Sequence, residues 1–129
     1  MKLRIKGNSL RLRITRPELD QLMNEGRIEE TITFASDDRS RLTYSLEHVA
    51  TSSTPTVRFN PPSLDVLIPT AQAQQWSMGE DVGIYAAIDL GANGSLELII
   101  EKDFACIHGT AEENRDAFAN PRLSADAKL

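Results

Sequence analysis

Cysteine is almost absent from this sequence, which contains a single one, Cys106. One thiol cannot form a disulfide within the chain, so a hydrophobic core has to stabilise the fold. Long apolar runs are absent too, since no stretch approaches the roughly 18 residues of a membrane span. The N-terminus alternates charged and apolar residues where a signal peptide would have an apolar segment. These absences predict a cytoplasmic protein that makes no contact with a membrane.

An excess of positive charge is also missing. The 129 residues include 14 Lys and Arg against 19 Asp and Glu, which gives a net charge of −5. This balance disfavours binding to nucleic acids or membranes through bulk charge alone. The length and a hydrophobic share of 40% are typical of one domain with its own core. We therefore predict a single domain over residues 1–129.

Positive charge is nevertheless concentrated at the N-terminus. In "KLRIKGNSLRLRI", cations alternate with apolar residues on both sides of a Gly7-Asn8 turn. A period of two is typical of strands with one buried face, and Gly and Asn accept the positive φ of a hairpin turn. The segment therefore predicts a β-hairpin with one apolar face and one basic face, the latter formed by Lys2, Arg4, Lys6, Arg11 and Arg13.

Helix and strand signals follow the hairpin. Thr15 is suited to cap a helix N-terminus, and Gly26 is suited to end that helix. The alternating segments "RIEETITF" and "LTYSLEHV" then predict two strands, and the polar residues 50–55 predict a linker. The first half of the chain is thus predicted to run strand, strand, helix, strand, strand.

The same order of signals returns in the second half of the chain. Apolar positions, turn and helix signals all recur 54 residues further on, and constant spacing of this kind indicates an internal repeat. Aligned pairs include Leu3 with Val57, Leu12 with Val66, Leu22 with Trp76, and Leu46 with Ile100. We predict two related units, residues 2–49 and 56–103, followed by an acidic tail over residues 104–129.

The repeat defines the expected fold class, which is α+β and mostly β. A lone hairpin is only marginally stable, so each unit is expected to cover the apolar face of the other. A closed sheet would also remove exposed strand edges. The sequence therefore predicts two pseudo-symmetric units that form a barrel-like core.

The segments "KGNSLRLRITRPEL" and "NEGRIEETITF", within residues 6–34, resemble the DNA-binding arm of the MazE/AbrB group of antitoxins and transition-state regulators. Positions that match the pattern of that arm are Gly7, Asn8, Ser9 and Arg13. Thr15 stands where the group has proline. The resemblance implies a swapped-hairpin barrel, which two interlocked chains form in that group, and DNA contacts from basic residues around the turn.

The second unit differs from that arm in its charge. It has the proline of the pattern, as Pro69, but Asp65 and Leu67 stand at the positions of Arg11 and Arg13. Only the first unit would therefore contact DNA. The chain as a whole resembles a group of short uncharacterised bacterial proteins with "KGNSLRLR" and "EKDFAC" segments, a likeness that implies no known activity.

The basic hairpin is the first candidate site. Cations at alternate positions of two paired strands point to the same side, where they can contact phosphates. Alternatively, they form a solvated face that discourages the strand edges from pairing with other strands. The protein's own acidic tail is a further candidate occupant. Residues proposed to bind a nucleic acid or an acidic protein are Lys2, Arg4, Lys6, Asn8, Arg11 and Arg13.

The second candidate site lies in "EKDFACIHGTAEENRD". Cys106 and His108 share one side of an extended segment, and Asp103 could complete a metal site. Cys106 could instead act as a nucleophile if a cationic neighbour lowered its pKa. The segment lacks the two pairs of closely spaced Cys or His residues that are typical of zinc sites. The alternative to a metal or thiol site is therefore a packed cysteine beside a surface histidine.

Taken together, these features favour a non-enzymatic binding or regulatory module that needs no cofactor. Its basic hairpin would contact a nucleic acid or an acidic protein. The alternative is a small metal- or thiol-dependent enzyme that uses Cys106 and His108. The sequence leaves the oligomeric state open.

Overall fold

The computed structural model of the protein describes residues 1–104 and residue 118. A short 3-10 turn, Gly91–Asn93, links the last two strands. The strand-strand-helix-strand-strand order occurs twice, as predicted. The elements are β1 (Lys2–Lys6), β2 (Ser9–Ile14), α1 (Arg16–Glu25), β3 (Arg27–Thr33), β4 (Arg41–Val49), β5 (Thr56–Asn60), β6 (Ser63–Pro69), α2 (Thr70–Met78), β7 (Gly83–Asp89) and β8 (Ser95–Lys102).

The strands form two four-stranded sheets. The first sheet has the order β1-β2-β8-β7, and the second has the order β3-β4-β6-β5. Each sheet therefore combines one hairpin from each half of the chain. The two hairpins of a sheet are joined at its centre by a parallel pairing, β2 with β8 and β4 with β6, whereas the strands within each hairpin are antiparallel.

The predicted fold class, α+β and mostly β, is confirmed, but the core is not a closed barrel. Each hairpin joins its sheet through one strand only, so the other strand remains at an edge. Both sheets consequently end in two edge strands, and among residues 1–104 the sheets do not pair with each other. The exchange of hairpins, and not closure of a single sheet, holds the two halves together.

Helix α1 has the ends that its sequence predicts. The Thr15 hydroxyl accepts a hydrogen bond from the Glu18 backbone N–H at 3.4 Å, and the Glu18 carboxylate accepts one from the Thr15 N–H at 3.0 Å. This reciprocal capping box satisfies two backbone groups that the helix leaves unpaired. At the other end Gly26 takes φ 87° and donates its N–H to Leu22 O at 2.8 Å.

The core is built from both sheets and both helices. Leu22 of α1 and Trp76 of α2, which the repeat aligns, are 0% and 1% exposed. The Trp76 indole N–H donates to Val82 O at 3.2 Å, so its polar atom is satisfied. Around these two side chains lie Leu10, Leu12, Ile14, Leu19, Ile28, Leu46, Val66, Ile68, Ala73, Ile84, Leu98 and Ile100.

Both helices are short, with ten residues in α1 and nine in α2. Each buries one face, which includes Leu19 and Leu22 in α1 and Ala73 and Trp76 in α2. Within the described residues, no helix has the length and apolar character needed to cross a membrane.

Candidate functional site

The predicted basic hairpin is formed by β1 and β2, and its cations lie together on one face. Leu10, Leu12 and Ile14 point into the core, so Arg11 and Arg13 between them point outwards. We refer to the outward-facing residues as the basic face, which consists of Lys2, Arg4, Lys6, Arg11 and Arg13.

Cations stand directly opposite each other on the basic face. The antiparallel register of β1 and β2 pairs Lys2 with Arg13 and Arg4 with Arg11. Like charges in directly opposite positions destabilise a strand pair. The hairpin therefore carries an electrostatic cost that its fold alone does not require.

Carboxylates relieve only part of this charge. Arg11 Nε lies 3.4 Å from Glu101 Oε1, and Lys2 Nζ lies 3.0 Å from Asp103 Oδ2. Arg4, Lys6 and Arg13 are exposed, and among the described residues no carboxylate lies within 4.0 Å of their charged groups. Among residues 1–104, three cations of the basic face therefore have no carboxylate partner.

A small cavity lies in the basic face. Its volume is about 160 Å³, and it is lined by Arg4, Lys6, Ser9, Arg11 and Ile99. The Ser9 hydroxyl donates to Lys6 O at 2.6 Å, which fixes the side chain at the end of the turn. The cavity therefore presents cationic groups from both strands of the hairpin around one space.

Asn8, at the tip of the turn, contacts the neighbouring hairpin. Its side-chain amide donates to Ser95 O at 2.7 Å, and its backbone oxygen accepts from Glu97 N at 3.1 Å. These two bonds attach the β1–β2 turn to the start of β8. Asn8 therefore has a structural role, and a contact of its side chain with a partner stays a prediction.

The outer face of the second sheet can be compared with the basic face, because the repeat aligns the two. Asp65 occupies the position of Arg11, and its carboxylate accepts hydrogen bonds from Arg27 at 3.1 Å and from Arg58 at 3.2 Å. The Ser45 hydroxyl donates to the same carboxylate at 2.5 Å. Arg58, which occupies the position of Arg4, and the neighbouring Arg27 are therefore both paired with a carboxylate in the middle of the face.

Asp65 is buried, with 5% of its surface exposed. Burial by itself would raise the pKa of this carboxyl, but the hydrogen bonds from Ser45, Arg58 and Arg27 outweigh it. The pKa of Asp65 is consequently lowered, and the group is a carboxylate at neutral pH.

The predicted metal or thiol site lies largely outside the described residues. Cys106 and His108 belong to that part of the chain, so their roles stay predictions. Asp103 is described and is 8% exposed; its carboxylate contacts Lys2, and its backbone N–H donates to Ile14 O at 2.9 Å. Within residues 1–104 and at 118, no group of three or more His, Cys, Asp or Glu side chains is arranged to hold a metal.

Three neighbours of the basic face were not identified from the sequence. Ile99, Glu101 and Tyr85 reach it because β8 pairs in parallel with β2, and β7 pairs with β8. The Tyr85 hydroxyl donates to Glu101 Oε2 at 3.2 Å, and burial together with this carboxylate raises the pKa of Tyr85. No local signal reveals that these residues lie beside the basic face, because β2 and β8 are about 90 residues apart in the chain.

The fold and the basic face define a class of small, mostly β protein, built of two interlocked halves with one cationic sheet face. The chain belongs to a family of unknown function, DUF7009, whose model matches residues 1–122. Comparison with curated proteins found no match, and comparison with solved structures found none either.

Proposed function

We propose that this protein is a non-enzymatic binding module whose basic face binds the phosphate groups of a nucleic acid. The observation that carries the proposal is the pairing of cations in directly opposite positions, Lys2 with Arg13 and Arg4 with Arg11. The electrostatic cost of such pairs is offset when an anion binds between them. Arginine is suited to this role because its planar group donates two hydrogen bonds to one phosphate.

The second sheet supports this interpretation. Arg58 occupies the position of Arg4, but it forms an ion pair with Asp65 within the fold. If the cations served only to keep an outer sheet face soluble, we would expect carboxylates of the same sheet to pair with them in both sheets. The first sheet instead keeps Arg4, Lys6 and Arg13 without such a partner among the described residues.

The resemblance of the first hairpin to the MazE/AbrB arm also supports the proposal. In that group the basic residues around the Gly-Asn-Ser turn contact DNA, and the matching positions here are Gly7, Asn8, Ser9 and Arg13. Two chains interlock by exchanging hairpins in that group, whereas here the exchange takes place between the two halves of one chain.

The experiment is retention of the purified protein on a DNA column across a salt gradient, compared with an Arg4→Gln/Arg13→Gln variant. We expect the wild type to be retained despite its negative net charge, and the variant to elute at lower salt. Removing one phosphate-binding cation lowers the slope of log affinity against log salt by roughly one, so the slope for the variant should be smaller by about two. The thermal stability of the variant should be unchanged or slightly higher, because two repulsive pairs are relieved.

A matched control is Arg39→Gln/Arg41→Gln, which changes the net charge by the same amount at two exposed positions away from the basic face. This control should be retained like the wild type. Equal loss of retention in both variants would mean that only net charge matters, and flow-through of the wild type would refute the proposal.

An acidic protein is the other candidate for the same face, and competition separates the two. Polyglutamate added at equal charge should displace the protein from DNA poorly, because carboxylates on a flexible chain do not reproduce the spacing of a phosphate backbone. Displacement as efficient as that by free DNA would favour an acidic protein partner instead.

A further inference from the structure

One edge of the first sheet lacks the features that normally keep strand edges apart. β7 (Gly83–Asp89), with the sequence "GIYAAID", is an edge strand of seven residues. It contains no proline and no cation, and its one charge is at its last residue, Asp89. Edges are usually protected by lysine, by proline or by inward-pointing charges. Such a strand is a template for pairing with another strand.

The other three edge strands differ from β7 in the residue at their centre. If two copies of an edge strand pair antiparallel about a twofold axis, the central residue faces itself. In β1, β3 and β5 that residue is Arg4, Glu30 or Arg58, and each would place like charges against each other. In β7 the central residue is Ala86, which meets only another Ala86.

The remaining pairs of a β7–β7 contact are complementary as well. In this register Ile84 faces Ile88, which continues the apolar inner face across the junction. Tyr85, 57% exposed, faces Ala87, so the large side chain lies over a small one. Both pairings occur twice because of the twofold axis.

Exposed apolar residues at the two ends of β7 provide an independent observation. Val82 immediately precedes the strand and is 41% exposed, and Leu90 immediately follows it and is 39% exposed. The register centred on Ala86 places Val82 of one copy opposite Leu90 of the other. Pairing therefore brings together two apolar side chains that are exposed to solvent in the described part of the chain.

We infer that β7 is a self-association edge, at which two copies of this chain pair antiparallel about Ala86. The two first sheets then form one continuous sheet of eight strands. A twofold axis perpendicular to this sheet places both basic faces on the same side of it. The pairing itself rests on the backbone edge and does not depend on what the basic face binds.

Sedimentation equilibrium of the full chain over a range of concentrations tests this inference. We expect a reversible dimer for the wild type. In a Tyr85→Lys/Ala87→Lys variant the two new lysines face each other across the axis, which should weaken the dimer by about tenfold or more. Both positions point to the exposed outer face, next to Glu97 and Glu101, so the variant is expected to fold.

The matched control is Thr31→Lys/Thr56→Lys, which adds the same charge at exposed positions on the two edges of the second sheet. It should dimerise like the wild type. A wild type that stays monomeric at all concentrations would overturn the inference, and so would a dimer that persists in the β7 variant.

Cross-linking tests the register directly. In a Cys106→Ser background, Ala86→Cys places two thiols opposite each other, at a separation that a disulfide can span. Ala87→Cys is the control, because its two thiols lie on a diagonal, roughly 7–8 Å apart between backbones. We expect a covalent dimer under mild oxidation for Ala86→Cys and little for Ala87→Cys. The reverse result, or equal cross-linking, would contradict the pairing about Ala86.

Discussion

Single residues determine whether the cations on each outer sheet face are paired with carboxylates. At one position of the repeat the first unit has Arg11 and the second has Asp65. Asp65 is buried and forms ion pairs with two arginines, and Glu29 forms a second ion pair with Arg27, so two carboxylates balance the two cations. Arg11 faces Arg4 across the hairpin, so its face stays cationic. This exchange, together with the loss of the cations at the positions of Lys2, Lys6 and Arg13, separates a structural network from a candidate binding surface.

The Asp65 network makes a prediction about stability. Asp65→Asn removes the charge that both arginines contact, and we expect the free energy of unfolding to fall by about 2 kcal/mol at pH 7. Urea denaturation of both proteins measures this difference. Arg39→Gln, which alters an exposed loop arginine, is the control and should change the unfolding free energy little.

The effect of Asp65 should also depend on pH. Its folded-state pKa lies below the ordinary value of 3.8, so the charged form stabilises the fold at every pH above that value. As the pH falls through the lowered pKa the carboxylate is protonated and the contribution is lost. The difference between wild type and Asp65→Asn should therefore be constant above about pH 5 and shrink below about pH 4. A difference that grows on acidification would contradict this assignment.

At the scale of elements, the two helices show how a repeat can diverge locally while its packing is kept. Helix α1 begins with the Thr15–Glu18 capping box, whereas α2 follows Pro69, which makes no side-chain cap. Both helices nevertheless bury a large side chain at the aligned position, Leu22 or Trp76. Burial of this face is therefore the shared requirement, and the cap is a feature of α1.

The cap of α1 can be tested by Thr15→Ala. This change leaves the Glu18 backbone N–H without its partner, and we expect the free energy of unfolding to fall by about 1 kcal/mol. Thermal or urea denaturation measures the loss. Thr51→Ala, in the exposed loop before β5, is the matched control and should have almost no effect. Equal stability of the Thr15 variant and the wild type would show that α1 is stabilised by packing alone.

At the scale of the whole molecule, neither half of the chain has a sheet of its own. Each four-stranded sheet takes one hairpin from each half, and the parallel pairings β2–β8 and β4–β6 connect the two hairpins of each sheet. A half separated from the other would leave its two hairpins in different, incomplete sheets. The halves are expected to fold only together.

Fragments cut in the loop before β5 test this expectation. Fragments 1–54 and 55–129 should each lack a folded monomer, because a lone hairpin is only marginally stable. Mixing them should restore strand content by circular dichroism and a buried environment for Trp76 by fluorescence, since Trp76 is 1% exposed in the intact fold. A fragment that is folded and monomeric alone would contradict the interdependence of the halves.

The local features of this protein could be predicted from its amino-acid sequence. Alternation of cations and apolar residues predicted the first hairpin and its basic face, and Thr15 and Gly26 predicted both ends of α1, as the structure confirms. The repeat in the sequence correctly aligned Leu22 with Trp76 as core residues. These predictions succeed because strand alternation and helix caps depend on residues that are neighbours in the chain.

Which hairpins share a sheet could not be predicted from the sequence and is known from the fold. The expected barrel became two open sheets, and the parallel pairing of β2 with β8 brought Glu101 and Ile99 to the basic face. It also left β7 at an edge. Pairing between distant strands depends on how the whole core is filled, and a repeated pattern of apolar positions fits several pairings equally well. The cations of the candidate site could therefore be predicted from the sequence. Their neighbours on β8 and the position of β7 at a sheet edge could not.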